Sequence, residues 1–122
     1  MAGIDYIKNY LSNEGFRYEE NDGHISFKYE GVKYVALKNS DSPYLQIVIL
    51  FFDVNSENRV KCLEVCNEIN ANKFVVKFTI DDDTVWCNYE LRPNASTTDD
   101  EFSTILSLMS QAVDLFYEKM RS

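Results

Sequence analysis

Residues 44–52 read YLQIVILFF and form the longest apolar stretch of the chain. The stretch is short for a helix, and its β-branched and aromatic side chains pack well in a sheet. Apolar side chains at nearly every position, rather than at every second one, are typical of a strand that is covered on both faces. We therefore predict that this stretch is the central strand of a sheet.

The segment that follows this strand has the spacing of a helix and then of a hairpin. Asn55 or Ser56 can cap a helix. Residues 74–80 and 85–91 alternate apolar with other side chains on either side of Asp81-Asp82-Asp83, which can turn the chain. We predict a second helix and a β-hairpin. The helix places apolar side chains at intervals of three and four, namely Val60, Cys62, Leu63, Val65, Cys66 and Ile69.

The segment that precedes the central strand contains a first helix and three strands. Apolar spacing over residues 4–13 predicts a short helix that ends before Gly15, a residue suited to a left-handed C-cap. Alternating segments follow at residues 16–19, 25–29 and 32–37, with turn residues between them. We predict a meander of three strands that leads into the central one.

The chain closes with a long amphipathic helix. Asp99, Asp100 and Glu101 place carboxylates in its first turn, where the helix dipole favours negative charge. The complete order is α-β-β-β-β-α-β-β-α, which predicts an α+β fold of an antiparallel sheet with helices. A chain of 122 residues can enclose one hydrophobic core, so we predict a single domain over residues 1–122.

The charge balance bears on the class of partner. Twelve Lys and Arg face twenty Asp and Glu, which gives a formal charge of −8. Phosphate backbones and anionic lipid headgroups would be repelled over most of such a surface, so we expect no nucleic acid and no membrane as partner. Lys73, Lys77 and Arg92 can gather into a small basic spot that receives a partner's carboxylates; the alternative is a scattered, solvated set.

The cysteines and the N-terminus bear on location. Cys62, Cys66 and Cys87 are odd in number, and the first two share a helix-patterned stretch in which disulfide geometry is poor. We expect reduced, buried thiols. The sequence contains no apolar run of membrane-spanning length and does not open with a secretory pattern. These features predict a cytoplasmic protein.

More apolar side chains occur on the predicted strands than one layer of helices needs. Val48, Val75 and Trp86 lie out of phase with the main apolar series of their strands, so alternation places them on the opposite face of the sheet. We predict that this face is partly uncovered and that these three residues bind a protein partner. The alternative is that they pack against the terminal helix.

We predict no catalytic residues, no metal and no cofactor. Asp81-Asp82-Asp83 lacks the alternating ligands of an EF-hand loop and is typical of a solvated turn. Cys62 and Cys66 lie one helical turn apart, but a soft-metal site would need further ligands. The alternative is a small-ligand or metal-binding enzyme with a cleft between the terminal helix and the sheet, whose polar groups are His24, Cys87 and Asp81.

Three segments carry a resemblance to a known family. They are Ile7-Lys8-Asn9-Tyr10-Leu11 with Gly15-Phe16, then Ile25-Ser26-Phe27-Lys28-Tyr29-Glu30-Gly31, and Cys66-Asn67-Glu68-Ile69-Asn70 leading into Lys73-Phe74-Val75-Val76-Lys77-Phe78. With the order of elements, they resemble the YbjN-like family of bacterial sensory transduction regulators, which share a fold with type III secretion chaperones. The chain departs from the pattern at Asp81-Asp82-Asp83, where relatives tend to place a glycine.

The resemblance implies a helix-sheet-helix domain that often dimerises and binds other proteins, and it implies no catalytic residues. Our leading hypothesis is a non-enzymatic interaction module, as a homodimer, that holds a segment of another protein on a sheet face or strand edge. The alternative is a dedicated type III secretion-type chaperone, whose acidic surface and apolar grooves keep a client segment unfolded.

Overall fold

The computed structural model describes residues 3–37, 44–72, 76–92 and 99–122. Within these ranges the order of elements is α-β-β-β-β-α-β-β-α, which confirms the predicted order and the α+β class. The elements are α1 (Gly3–Glu14), β1 (Tyr18–Glu20), β2 (His24–Tyr29), β3 (Val32–Leu37), β4 (Leu45–Asp53), α2 (Arg59–Asn72), β5 (Lys77–Asp81), β6 (Thr84–Leu91) and α3 (Asp99–Met120).

The strands form one antiparallel sheet in the order β1-β2-β3-β4-β6-β5. The apolar strand β4 lies in the interior, between β3 and β6. The expectation that β4 is covered on both faces is wrong at Leu50, whose side chain is 47% exposed. The reason is that the described helices lie together on the other face of the sheet.

The hydrophobic core lies between that face and the helices. Each fully buried aliphatic or aromatic side chain contributes about 1.5–3 kcal/mol relative to an exposed one. One cluster joins side chains from each described helix to alternate residues of the strands: Ile7 and Leu11 of α1, Val65 and Ile69 of α2, Leu106 and Phe116 of α3, and Ile47, Ile49 and Cys87 of the sheet.

Local hydrogen bonds define the ends of α1 and the start of α2. Gly15 has a φ of 76°, and the Phe16 amide donates to the Leu11 carbonyl at 2.9 Å, which is the closure of a Schellman C-cap. At the other helix, the Asn55 side-chain oxygen accepts from the Asn58 amide at 2.9 Å. Of the two capping residues considered, Asn55 is the one that caps.

Two tight turns set the registers of the hairpins. Glu30 and Gly31 join β2 to β3 with φ values of 50° and 82°, and Asp82 and Asp83 join β5 to β6 with 50° and 62°. Two consecutive positive φ values are the mark of a type I′ turn, whose twist matches that of the flanking strands. The predicted turn at Asp81-Asp82-Asp83 is confirmed, with Asp81 as the last residue of β5.

An asparagine side chain covers part of the free edge of β5. The Asn70 side-chain oxygen accepts from the Phe78 amide at 2.8 Å, and the Asn70 side-chain nitrogen donates to the Phe78 carbonyl at 2.9 Å. These two bonds are the pair that a neighbouring strand would make. The α2 helix therefore closes the edge of β5 at Phe78.

Helix α2 does not bury every apolar residue of its predicted series. Cys62, Val65, Cys66 and Ile69 are buried, as expected. Val60 and Leu63, which belong to the same apolar series, lie on the opposite side of the helix, at 68% and 51% exposure.

None of the described helices is both long enough and apolar enough to cross a membrane.

Candidate functional site

The candidate site is the face of the sheet opposite the helices. Side chains alternate along a strand, so Ile47 and Ile49 of β4 enter the core while Val48 and Leu50 point the other way. No described helix packs against that second face, which we call the outer face. It is formed by Glu19, His24, Ser26, Lys28, Lys33, Val35, Leu37, Gln46, Val48, Leu50, Lys77, Thr79, Trp86, Asn88 and Glu90.

The strand registers align one row of side chains across the whole outer face. Ser26 pairs with Val35, Val35 with Val48, and Val48 with Asn88. Glu19 and Lys77 continue the row at its two ends. The middle of this row is apolar or uncharged and both of its ends are charged.

The second row contains the exposed apolar surface. Leu50 lies directly opposite Trp86, and Trp86 lies opposite Thr79. Leu50 is 47% exposed, whereas Trp86 is partly exposed. Val48 is fully buried at 0% exposure, between its neighbours in the row. Leu50 and Trp86 therefore present the apolar surface that a partner could contact.

The indole nitrogen of Trp86 has no hydrogen-bond partner in the described part of the chain. The nitrogen is buried. Among the described residues, no other buried side-chain nitrogen or oxygen lacks a hydrogen-bond partner. A buried donor without an acceptor costs about 1–3 kcal/mol. Trp86 lies between Leu50 and Thr79 in the strand register, and its ring makes no hydrogen bond in the described part of the chain.

Amide side chains border this apolar surface. Asn88 donates to the Thr79 hydroxyl at 3.0 Å and accepts from the Gln46 side chain at 3.4 Å. These bonds link β4, β5 and β6 across the outer face, so the surface around Trp86 is held by neighbours on three strands.

A cleft of about 540 Å³ lies on the outer face near the β1 edge. Its lining includes Arg17, Lys28 and Lys33, with Ser26 and Glu19. Lys28 lies directly opposite Lys33 in the β2–β3 hairpin. The sequence predicts a basic spot elsewhere, from Lys73, Lys77 and Arg92, and Lys73 lies outside the described residues.

A second cleft, of about 380 Å³, lies between α3 and β2. This is the region in which the enzyme alternative expects a polar cleft. Its lining consists of Tyr29 together with Asp100, Ser103, Thr104, Ser107, Leu108 and Gln111. It contains none of the side chains that the enzyme alternative requires.

The structure does not bring the polar groups of the enzyme alternative together. Cys87 points into the core from β6 and contacts the Met109 carbonyl at 3.8 Å. His24 lies on β2, beyond β3 and β4, so about 14 Å of sheet separates the two strands. His24 contacts the Asn21 side chain at 3.3 Å, and Asp81 lies at the far edge strand β5. These residues do not form one site.

The thiols are poor nucleophiles and poor metal ligands. Burial raises the pKa of the Cys66 thiol from 9.0 to about 11, and burial also raises the pKa values of Cys62 and Cys87. A thiol reacts and binds metal as the thiolate. All three cysteines are free and buried, and the described residues contain no group of three metal-ligating side chains.

The three predicted partner-binding residues have different surroundings. Trp86 lies on the outer face and is partly exposed. Val48 lies on the same face with no exposed surface. Val75 lies outside the described residues. Neither Val48 nor Trp86 belongs to the helix-covered cluster, and the role of all three in partner binding stays a prediction.

Sequence reasoning missed two parts of the outer face. Leu50 belongs to the same alternating set as Val48, so its position was readable from the pattern of β4. The pairing of Lys28 with Lys33 also follows from the sequence, because a two-residue turn at Glu30-Gly31 places Tyr29 opposite Val32 and the next residues opposite each other.

Family and structural comparisons agree on the fold. The chain matches the YbjN family model, described as "Putative bacterial sensory transduction regulator", over residues 4–122. No curated protein was found to match the chain.

Several solved structures are similar to this chain. YbjN from E. coli has a TM-score of 0.71 at 16% identity and covers 95% of this chain and 90% of its own. A chain of the ExoU-SpcU complex from the type III secretion system of Pseudomonas aeruginosa has 0.64 at 19%, covering 89% and 96%. The type III secretion chaperone SycH of Yersinia pestis, in complex with a fragment of YscM2, has 0.61 at 17%, covering 91% and 97%. The secretion chaperone-like fold is thereby confirmed.

Proposed function

The chain belongs to the YbjN family, and from that premise we propose that it is a non-enzymatic module that binds a segment of another protein. The observation that carries this proposal is the outer face of the sheet, where Leu50 and Trp86 present apolar side chains that no described helix covers. Exposed apolar surface of this kind favours a protein partner. The segment would lie across β4 and β6.

The chemistry of the described side chains supports a role without catalysis. The buried thiols are protonated at neutral pH, and desolvation raises their pKa values further above it. His24 lies three strands away from Cys87, and Asp81 lies at the turn end of β5, opposite Thr84 rather than Cys87. A nucleophile beside a general base, the usual arrangement in covalent catalysis, is not assembled from these residues.

A dedicated type III secretion-type chaperone is the second candidate. The structures with similar folds include complexes of such chaperones with other proteins, among them SycH with a fragment of YscM2 and the HopA1-SchA chaperone-effector complex. This candidate differs from the first in its client, which would be a secreted protein held unfolded. Identification of the bound protein separates the two.

The proposal extends to the assembly and location of the chain. We propose one domain over residues 1–122, supported by a core that joins α1, α2 and α3. We propose a homodimer, supported by Val60 and Leu63, which expose apolar side chains one turn apart on α2. Light scattering that gives the mass of one 14.2 kDa chain would contradict the dimer. The free thiols support a reducing, cytoplasmic location.

A pull-down with matched variants tests the binding face. Leu50→Glu places a charge on the outer face, and Leu108→Glu places the same charge on α3, where the leucine is 40% exposed. Both positions are at the surface, so both variants should fold, which circular dichroism checks. We expect a protein partner that binds the wild type and Leu108→Glu but is reduced at least tenfold with Leu50→Glu, because a carboxylate would enter an apolar contact.

Two results would contradict the proposed face. The first is equal recovery of the partner with wild type, Leu50→Glu and Leu108→Glu. The second is loss of the partner with Leu108→Glu alone, which would place the binding surface on the helical side.

A further inference from the structure

We propose that the cleft at the β1 side of the outer face is a recognition site for carboxylates, and that the segment bound there is an extended, acidic stretch of a protein. The inference rests on the proposed function, because it assigns the chemistry of the segment that the outer face holds. It starts from three cations that line one cleft together with the Ser26 hydroxyl.

The three cations have no counter-ion in the described structure. Arg17, Lys28 and Lys33 line one cleft, and none of their side chains forms an ion pair or hydrogen bond with another described residue. Elsewhere in the described chain, Lys8, Arg59 and Lys119 are each paired with a carboxylate. Positive charge without a partner is therefore concentrated in this cleft.

The hairpin places two of these cations against each other. Lys28 and Lys33 are directly opposite in β2 and β3, where side-chain Cβ atoms lie about 4.5–5.5 Å apart. Like charges in this position lower the stability of a hairpin. A carboxylate between the two ammonium groups would remove that repulsion and form charge-assisted hydrogen bonds with both.

The floor of the cleft supplies a hydroxyl that is free to bind. Ser26 is 9% exposed and lines the same cleft, and its hydroxyl forms no hydrogen bond with another described residue. The Ser26 hydroxyl can donate to a carboxylate oxygen that the lysines hold above it.

The dimensions favour a short acidic segment over a long polyanion. A cleft of about 540 Å³ accommodates only a few groups, and Glu19 at its rim adds one negative charge. A nucleic acid would extend beyond the cleft onto a protein of charge −8. Screening limits that repulsion to about 8 Å at physiological salt, so a carboxylate inside the cleft interacts mainly with the three cations.

The cleft is continuous with the apolar part of the outer face. Lys33 lies two residues before Val35 and Leu50 lies two residues after Val48, and Val35 pairs with Val48. Lys33 and Leu50 are therefore on the same side of that row. From β2 to β6 the sheet spans about 14 Å, so the segment should carry acidic side chains about four residues from an apolar one.

A selection from a library of random 12-residue peptides tests the site. The probes are the wild type, Lys28→Glu/Lys33→Glu, and a control, Lys61→Glu/Arg121→Glu, in which the same charge change lies on the helical side. We expect the wild type and the control to enrich Asp and Glu at least threefold over the starting library. With Lys28→Glu/Lys33→Glu that enrichment should disappear, and a selected peptide should bind at least tenfold more weakly.

The remaining outcomes are distinct. Selected peptides that lack acidic enrichment but depend on Leu50, as judged with Leu50→Glu, would overturn this inference and leave the proposed face intact. A failure to select any peptide would overturn both. A single-stranded oligonucleotide of 12 nucleotides that binds as tightly as the selected peptides would show a general polyanion site and overturn the assignment to protein carboxylates.

Discussion

At the scale of single residues, Tyr34 places a hydroxyl group in the core. Its side chain is 0% exposed, and its hydroxyl donates to the Leu106 carbonyl of α3 at 2.6 Å. Burial raises the pKa of the phenol well above its ordinary value of 10.0. The neutral hydroxyl therefore links strand β3 to the helix that covers it.

We expect Tyr34→Phe to lower the free energy of unfolding by about 1–2 kcal/mol, since it removes one buried hydrogen bond and little apolar area. Urea denaturation measures the change. The matched control is Tyr18→Phe, because the Tyr18 side chain is half-buried and its hydroxyl has no described hydrogen bond. A loss for Tyr34→Phe no larger than that of the control would contradict the role of the bond.

The faces of single residues were more predictable than their exposure. Alternation alone places Val48 and Trp86 opposite the core, because the period of a strand is two. It gives no measure of exposure, which depends on the neighbouring strands. β4 pairs with β6 and not with β5, and this non-sequential order puts Asn88 beside Val48. Val48 is covered because it has paired neighbours on both sides, Val35 and Asn88, whereas Leu50 has a paired neighbour on β6 alone in the described sheet.

At the scale of elements, the contact of α2 with β5 depends on Asn70. The Asn70 side-chain amide bonds to both main-chain groups of Phe78. The Asn70 main-chain carbonyl accepts from the Lys77 side chain at 3.1 Å. The family resemblance includes this asparagine in the stretch from Cys66 to Asn70. The structure gives a physical reason for its presence, which the sequence pattern alone does not contain.

We expect Asn70→Ala to cost about 1–3 kcal/mol of stability, because the Phe78 amide and carbonyl lose their partners. The control is Asn67→Ala, one turn earlier on the exposed side of the same helix, with a change within about 0.5 kcal/mol. Hydrogen exchange should report faster exchange of the Phe78 amide in Asn70→Ala. An unchanged exchange rate at Phe78 would show that the side chain does not protect this edge.

The elements themselves were largely predictable, and their arrangement was not. Periodicities of two and of three to four identify strands and helices, and Gly15 and Asn55 mark helix ends through capping chemistry. The long-range pairing of β4 with β6 has no local signal. The cationic cleft is different, because it combines β1, β2 and β3, which are consecutive strands of the predicted meander.

At the scale of the whole molecule, the three buried thiols make the free energy of unfolding depend on pH in the alkaline range. In the unfolded chain the thiols ionise near 9.0, whereas burial raises the pKa of Cys66 to about 11 in the folded chain. Cys62 and Cys87 shift in the same direction. The folded state then binds more protons than the unfolded state, so stability falls as pH increases.

We expect the contribution of the protonated Cys66 thiol to stability to be complete below pH 9. It should be lost as pH rises through about 11, the pKa of Cys66 in the folded chain. Urea unfolding at intervals from pH 7 to pH 11 measures the decline. Cys66→Ala should decline less steeply between pH 9 and pH 11 than the wild type, since both carry the same other charges. Identical slopes for the two proteins would contradict the assignment to this thiol.

The blocked outer edge of β5 limits how copies of this chain can aggregate. Edge-to-edge aggregation into a long fibril requires an unpaired edge strand on both sides of the sheet in each copy. In this sheet, one edge strand is β5, which Asn70 blocks at Phe78. The other edge strand is β1, which has only three residues. If two copies paired through β1, each copy would lose the only sheet edge that is fully open in the described part of the chain. Oligomerisation by that route would end at a pair instead of growing into a fibril.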